Sequence, residues 1–128
     1  MDHDAIIKWL MGGDVSIRFQ TKRYLLDEDD DQLRQKIREE GWGRQLLDLR
    51  KSDGHWGQAF YQPKWISTHY TLLDLKNLAI DPQNSKIRTT LLMLLDTEKG
   101  SDGGIKPIGQ MQKSDVCING MFLNYACY

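Results

Sequence analysis

The spacing of apolar residues along the chain predicts an all-α fold. Apolar side chains recur three or four positions apart, as on one face of an α-helix, and glycine, proline or cap residues separate these stretches. The pattern predicts seven helices, at residues 3–11, 15–26, 31–40, 44–51, 67–80, 85–98 and from Val116 onward. The candidate caps of three of them are Asp2 or Asp4, Asp14 or Ser16, and Asn84 or Ser85.

The stretch from residue 53 to residue 80 combines a glycine turn, large aromatic residues and an apolar helix. Asp53-Gly54 favours a turn, because Asp can bond its own backbone and Gly reaches positive φ without a Cβ clash. Trp56, Tyr61 and Trp65 follow where polar loop residues are usual, so their rings must dock against something. They are candidate ligand-binding residues; the alternative, favoured for Trp56, is packing between neighbouring helices.

The same turn recurs later in the chain. K-G-S-D-G-G-I at residues 99–105 repeats the arrangement of K-S-D-G-H-W at residues 51–56, and Asp102 follows Asp53 at an interval of 49 residues. Each turn comes after a leucine-rich helix, passes through a proline segment and enters an apolar helix. A period of about 50 residues is typical of repeat proteins, whose units cannot bury their apolar faces alone.

Residues 44–128, with their D-G-H-W-G and D-G-G turns, resemble consecutive repeats of the terpenoid-cyclase and protein-prenyltransferase superfamily. The resemblance implies α/α-toroid-type helical hairpins, as in squalene cyclases and prenyltransferase β subunits, here as an incomplete ring. Residues 1–40 resemble a HEAT-like hairpin through G-D-V-S-I-R-F-Q-T-K-R-Y-L-L. We therefore expect one domain over 1–128, with a HEAT-like part at 1–40, a first toroid-type repeat at 41–98 and the start of a second at 99–128.

The segment K-S-D-V-C, residues 113–117, follows the second turn. In prenyltransferase β subunits a D-G-G-F segment is followed by a lysine and D-x-C, whose aspartate and cysteine bind the catalytic zinc. The resemblance implies that Asp115 and Cys117 are zinc ligands and that Lys113 approaches an anionic diphosphate. Carboxylate and thiolate both suit zinc, which activates a substrate thiol.

The zinc ligand set is incomplete in this chain. Lys113 lies one residue closer to Asp115 than in the family pattern, and the histidine ligand of the family lies beyond residue 128. His69 is the only internal substitute. The alternative is that Asp115 caps the last helix while Cys117 is a small buried hydrophobe. Zinc is thus expected in a longer protein rather than in this chain alone.

The acidic run at residues 27–31 has two interpretations. D-E-D-D resembles the D-x-D-D proton donor of class II terpene cyclases, in which clustered carboxylates raise one pKa. The alternative is a solvated linker whose last aspartates cap the next helix and complement its dipole. The polar neighbours Gln32, Arg34 and Gln35 favour the linker, because a proton donor of this kind requires an apolar cavity.

Composition narrows the possible partners. The 128 residues carry a formal charge of −1, and their basic residues are interleaved with acids, which argues against nucleic-acid binding. No apolar run approaches the roughly 20 residues of a membrane span, so a cytoplasmic location is the default expectation.

The function expected from the resemblance is that of a prenyltransferase- or squalene-cyclase-like domain whose complete form binds an apolar, isoprenoid-like ligand. The alternative is a non-catalytic protein-interaction scaffold, since repeat folds commonly work through their concave surface. Residues 116–128 are almost entirely apolar. From this we expect a truncated, inactive portion of a longer protein that self-associates through an exposed last helix.

Overall fold

The computed structural model describes residues 2–108, 111 and 113–128, and this part of the chain is mostly helical. No β-strand forms among the described residues; Lys99 and Ile105 make an isolated bridge. The prediction of an all-α chain is confirmed. The helices are α1 (His3–Met11), α2 (Val15–Leu25), α3 (Asp31–Lys36), α4 (Gly41–Asp48), α5 (Thr68–Asn77), α6 (Ser85–Thr97) and α7 (Val116–Ala126).

Polar side chains fix the starts of five helices, because each accepts a backbone N–H group that the first turn leaves unpaired. Of the alternative caps considered above, Asp2, Asp14 and Asn84 are the ones used. Asp30 caps α3 and Asp115 caps α7. Asp14 serves two helices, since its second carboxylate oxygen accepts the N–H of Trp42 in α4 at 2.9 Å.

Two helix boundaries differ from the prediction because of glycine geometry. α3 ends at Lys36 rather than at residue 40, and α4 begins at Gly41 rather than at residue 44. Gly41, the first residue of α4, has φ +66°, a conformation that favours glycine. Gly43 is buried against Ile37, where a Cβ atom would lie 2.3 Å from the Ile37 carbonyl oxygen. These glycines start a helix where the sequence pattern indicated a break.

The central helix α5 also ends earlier than predicted, at Asn77 instead of residue 80. Ala79 has φ +63°, which an L-residue rarely adopts. The carbonyl groups at this end bond to distant side chains: Ser16 Oγ donates to Leu78 at 2.7 Å and Arg34 Nε donates to Ala79 at 3.2 Å. The φ angle of Ala79 ends the helix, and these tertiary hydrogen bonds satisfy carbonyl groups that the helix end leaves unpaired.

The packing divides into two compact units. The first contains the chain up to Asp48 together with residues 77–81; there α2 contacts α1, α3 and α4. Its buried apolar side chains are Val15, Phe19, Ile37, Leu47, Ala79 and Ile80. The second contains residues 49–76 and 82–128, and its larger buried side chains include Trp56, Phe60, Leu72, Leu75, Leu94, Phe122 and Tyr125. The candidate functional residues lie in this second unit.

Candidate functional site

The first turn of the second unit is closed by backbone hydrogen bonds. The Lys51 N–H donates to the His55 carbonyl at 2.9 Å, and the Gly54 N–H donates to the Lys51 carbonyl at 3.1 Å. The Asp53 carboxylate accepts the N–H of His55 at 2.9 Å, and this bond holds the pKa of Asp53 below its usual value. Gly54 has φ +90°, a conformation that favours glycine.

The second turn makes the same bonds 49 residues later. The Gly100 N–H donates to the Gly104 carbonyl at 2.7 Å, and the Gly103 N–H donates to the Gly100 carbonyl at 3.0 Å. The Asp102 carboxylate accepts the N–H of Gly104 at 3.2 Å, and Gly103 has φ +82°. Hydrogen bonds from the backbone and hydroxyl of Ser114 lower the pKa of Asp102.

In both turns a helix side chain holds the residue that follows. Thr68 Oγ1 accepts the Trp56 N–H at 3.0 Å and donates to the Trp56 carbonyl at 3.1 Å. Asn119 does the same with its amide: Oδ1 accepts the Ile105 N–H at 2.9 Å and Nδ2 donates to the Ile105 carbonyl at 2.8 Å. Trp56 and Ile105 are both buried. Burial of Trp56, with the Arg50 guanidinium over its ring, favours the packing interpretation of that residue over ligand contact.

Three aromatic rings, Tyr61, Trp65 and Tyr70, form what we call the aromatic face. The Tyr61 and Tyr70 hydroxyl groups lie 3.0 Å apart, and the Trp65 ring centroid is 4.9 Å from that of Tyr70. The hydrogen bond from Tyr61, followed by burial, raises the pKa of Tyr70 to about 12. Two of the predicted ligand-binding residues, Tyr61 and Trp65, thus both contact Tyr70, which the sequence did not indicate as a site residue.

His69 is fully buried behind the aromatic face. Its ring lies 5.1 to 5.5 Å, between centroids, from the rings of Phe60, Tyr61, Tyr70 and Tyr125. Its Nδ1 atom lies 3.0 Å from the Tyr125 hydroxyl, whereas Nε2 has no hydrogen-bond partner in the described part of the chain. Burial lowers the pKa of His69 to about 4 and raises that of Tyr125. The imidazole is therefore neutral at pH 7.

The proposed zinc ligands lie at the start of α7. Asp115 Oδ1 accepts the Ile118 N–H at 2.9 Å, so the predicted capping role of Asp115 is confirmed. Cys117 is exposed, so its interpretation as a buried hydrophobe is wrong: α7 turns only one side inward. The Cys117 thiol lies close enough to Tyr70 to contribute to its raised pKa. Lys113 is exposed.

A complete metal site is not assembled among residues 2–108, 111 and 113–128. No group of three or more His, Cys, Asp and Glu side chains in this part of the chain is arranged to hold a metal ion. Asp115 and Cys117 are two residues apart at the helix start, and His69 Nδ1 is engaged by Tyr125. A third ligand would have to come from elsewhere.

Three acidic side chains of the run in the first unit pair with lysine or arginine. Lys22 Nζ lies 2.9 Å from Asp30 and 3.6 Å from Glu28, while Arg23 lies 3.1 Å from Asp29. The hydrogen bond from Lys22 lowers the pKa of Asp30, whereas a proton donor would need a raised one. Asp30 also caps α3, so the geometry favours the capping interpretation over the D-x-D-D proton donor.

Sequence reasoning missed Tyr70 and Tyr125. Tyr70 follows His69 directly and could have been found from the clustering of aromatic residues at 60–70. Tyr125 lies 56 residues from His69, and no local pattern pairs them.

No described helix combines the length and apolarity needed to cross a lipid bilayer. Searches against protein-family models, curated proteins and solved structures found no match to this chain.

Proposed function

We propose that this chain is a helical-repeat module of the α/α-toroid type, similar to the repeats of terpenoid cyclases and protein prenyltransferases, and that it binds an apolar, isoprenoid-like ligand. The observation that carries the proposal is the pair of turns with the same hydrogen bonds at an interval of 49 residues. Each turn is followed by a buried residue whose backbone is hydrogen-bonded to a side chain of the following helix. This supports a repeated unit, because both the turn and its bond to a side chain on the following helix recur.

The aromatic face supports the ligand class. Trp65 is 67% exposed, and Tyr61 and Tyr70 are half-buried beside it. Aromatic rings present broad apolar surface to a hydrocarbon chain, and each loses little conformational freedom on binding. We assign the ligand contact to Tyr61 and Trp65, with Tyr70 holding both, and we assign Trp56 to packing. Exposed Lys113 is the residue we propose for an anionic head group.

We propose zinc binding only for a longer protein in which another residue supplies the missing ligand. The carboxylate of Asp115 and the exposed thiol of Cys117 are donor types that fit zinc. Bound zinc would supply Lewis-acid activation of a substrate thiol. In the described residues, Asp115 instead accepts the Ile118 N–H and so starts α7. The matching test is stoichiometric zinc in a longer protein, lost in Cys117→Ala but retained in Cys127→Ala.

The ligand proposal is tested with farnesol, an isoprenoid alcohol, in solution below its aggregation limit. We expect saturable binding by calorimetry that weakens about tenfold in Trp65→Ala, because the variant loses one large apolar contact. Leu92→Ala is the matched control, since Leu92 is equally exposed but lies on α6 and is not one of the three residues of the aromatic face. Absence of saturable binding, or equal loss in both variants, would refute the proposal.

A scaffold function is the second candidate, and one observation favours it. Residues 116–128 contain no charged side chain, and the outward side of α7 exposes Val116 by 89% together with Leu123. An uncharged apolar helix side is suited to contact with a second copy of the chain. Light scattering during size-exclusion chromatography tests this: Leu123→Ser should convert a dimer into a monomer, whereas a wild-type monomer at high concentration contradicts self-association.

A further inference from the structure

The loop before α5 exposes two consecutive large apolar side chains. Trp65 is 67% exposed and Ile66 is 64% exposed, and Lys64 beside them is exposed as well. We call residues 64–66 the apolar tip. Single exposed apolar residues are ordinary, whereas these two adjacent side chains form one continuous apolar surface.

Close backbone contacts stabilise the loop that carries the apolar tip. Gly57 has φ +63°, and a Cβ atom there would lie 2.8 Å from the Ile66 carbonyl oxygen, so the chain approaches itself closely. The N–H groups of Gln58 and Ala59 both donate to the Gln62 carbonyl, at 2.9 and 3.0 Å. Trp65 itself has φ +77°, which is rare for a bulky residue. A sparsely populated conformation that presents a tryptophan to the outside is typical of a binding element.

Lys64 is the charged residue in the sequence around the apolar tip. Residues 54–73 contain no Asp or Glu, and Lys64 is their only Lys or Arg. The Lys64 Nζ atom lies 4.9 Å from the centroid of the Trp65 ring, so the cation and the ring form one amphipathic group. The nearest acids in the sequence are Asp53, which pairs with Lys51 at 3.2 Å, and Asp74 on α5.

Tryptophan, an aliphatic side chain and lysine are the residues that lie at a membrane–water interface. We propose that the apolar tip docks this chain on the surface of a membrane containing anionic lipids, with Trp65 and Ile66 among the head groups and Lys64 beside lipid phosphate. A second copy of the chain is a poorer occupant, because a two-fold contact at the tip would bring the Lys64 side chains together. The proposal goes beyond isoprenoid binding and does not depend on it.

Sedimentation with lipid vesicles tests the proposal. Wild-type protein should sediment with vesicles containing phosphatidylserine and bind less as salt is raised, since salt screens the Lys64 attraction. Ile66→Ser should lower the partition coefficient about tenfold through loss of one buried aliphatic group. Lys64→Glu should abolish the preference for phosphatidylserine over phosphatidylcholine.

Two controls separate the membrane from other occupants. Leu92→Ser changes an equally exposed apolar residue on α6 and should bind vesicles like the wild type. Circular dichroism of each variant shows whether the helices are intact.

No sedimentation of the wild type with phosphatidylserine vesicles, or an equal loss in Leu92→Ser, overturns the proposal. An oligomer that Ile66→Ser dissociates also overturns it, because the tip would then contact another copy. Farnesol binding that survives in Ile66→Ser keeps the two proposals distinct.

Discussion

The Nδ1 atom of His69 on α5 lies 3.0 Å from the hydroxyl of Tyr125 on α7, and both side chains are buried. This hydrogen bond links α5 to α7 within the second unit. Because Nε2 has no partner among the described residues, protonation would place a charge in a buried site without a compensating acceptor.

We expect His69 to make the stability of the second unit depend on pH. Its folded-state pKa of about 4 lies below the ordinary value of 6.5, so the unfolded chain binds the proton more readily. Stability is therefore full above pH 6.5 and falls as the pH drops from 6.5 towards 4, by about 3 kcal/mol in total. Urea unfolding followed by circular dichroism across this pH range measures the slope.

His69→Phe is the matching variant for this pH dependence. It should flatten the slope between pH 6.5 and 4, although it loses the bond to Tyr125 and is less stable at pH 7. His55→Phe, which changes a half-buried histidine on the first turn and leaves His69 in place, is the matched control. An unchanged slope in His69→Phe would show that another group titrates.

Tyr61→Phe should lower the pKa of Tyr70. The hydrogen bond from Tyr61 is the largest cause of the raised value of about 12, so its removal should return the Tyr70 pKa towards 10. Ultraviolet difference titration of the tyrosinate signal measures the change. A Tyr70 pKa that remains near 12 would mean that burial, rather than the hydroxyl pair, sets it.

The glycines of the two turns should differ in their tolerance of alanine. Gly54 and Gly103 both have positive φ, so either substitution costs about 1–2 kcal/mol of backbone strain. A Cβ atom on Gly54 would also lie 3.0 Å from Met93 Sδ, whereas none of the described atoms lies within 4 Å of one on Gly103. Gly54→Ala should therefore reduce the free energy of unfolding more than Gly103→Ala.

Gly120→Ala is expected to change the free energy of unfolding in the opposite direction to the substitutions at the turn glycines. Gly120 lies within α7, and a Cβ atom there would meet no described atom within 4 Å. Alanine should stabilise this helix by about 0.5–1 kcal/mol, because glycine is a poor helix former. A destabilised Gly120→Ala protein would indicate that the outward side of α7 is covered.

Thr68→Val should destabilise the second unit by about 2–3 kcal/mol. The substitution keeps the shape of the side chain but removes the hydroxyl that accepts the Trp56 N–H and donates to the Trp56 carbonyl. Thr68→Ser keeps the hydroxyl and should lose less. Equal unfolding free energies for the two variants, measured in urea, would contradict the role assigned to the hydroxyl.

The sequence predicted features that depend on neighbouring residues. Helix starts at Asp14, Asp30 and Asp115 follow from short-range capping, and the recurring Asp-Gly turns were visible as a pattern. The early end of α5 was not predictable, because its carbonyl acceptors are bonded by Ser16 and Arg34, 62 and 45 residues away. Likewise, an apolar composition gave no indication that Cys117 lies on the exposed side of α7.

In both turns a side chain on the following helix bonds the backbone of a buried residue, and this defines what further turns of this kind would share. A threonine hydroxyl 12 residues after Trp56 and an asparagine amide 14 residues after Ile105 perform the same bonding. The residue that bonds the turn therefore needs one hydrogen-bond acceptor and one donor. Neither its residue type nor its distance in sequence from the buried residue is constant. The constant features of this turn are Asp-Gly and a large apolar residue two positions after the glycine, whereas the helix residue that bonds it varies.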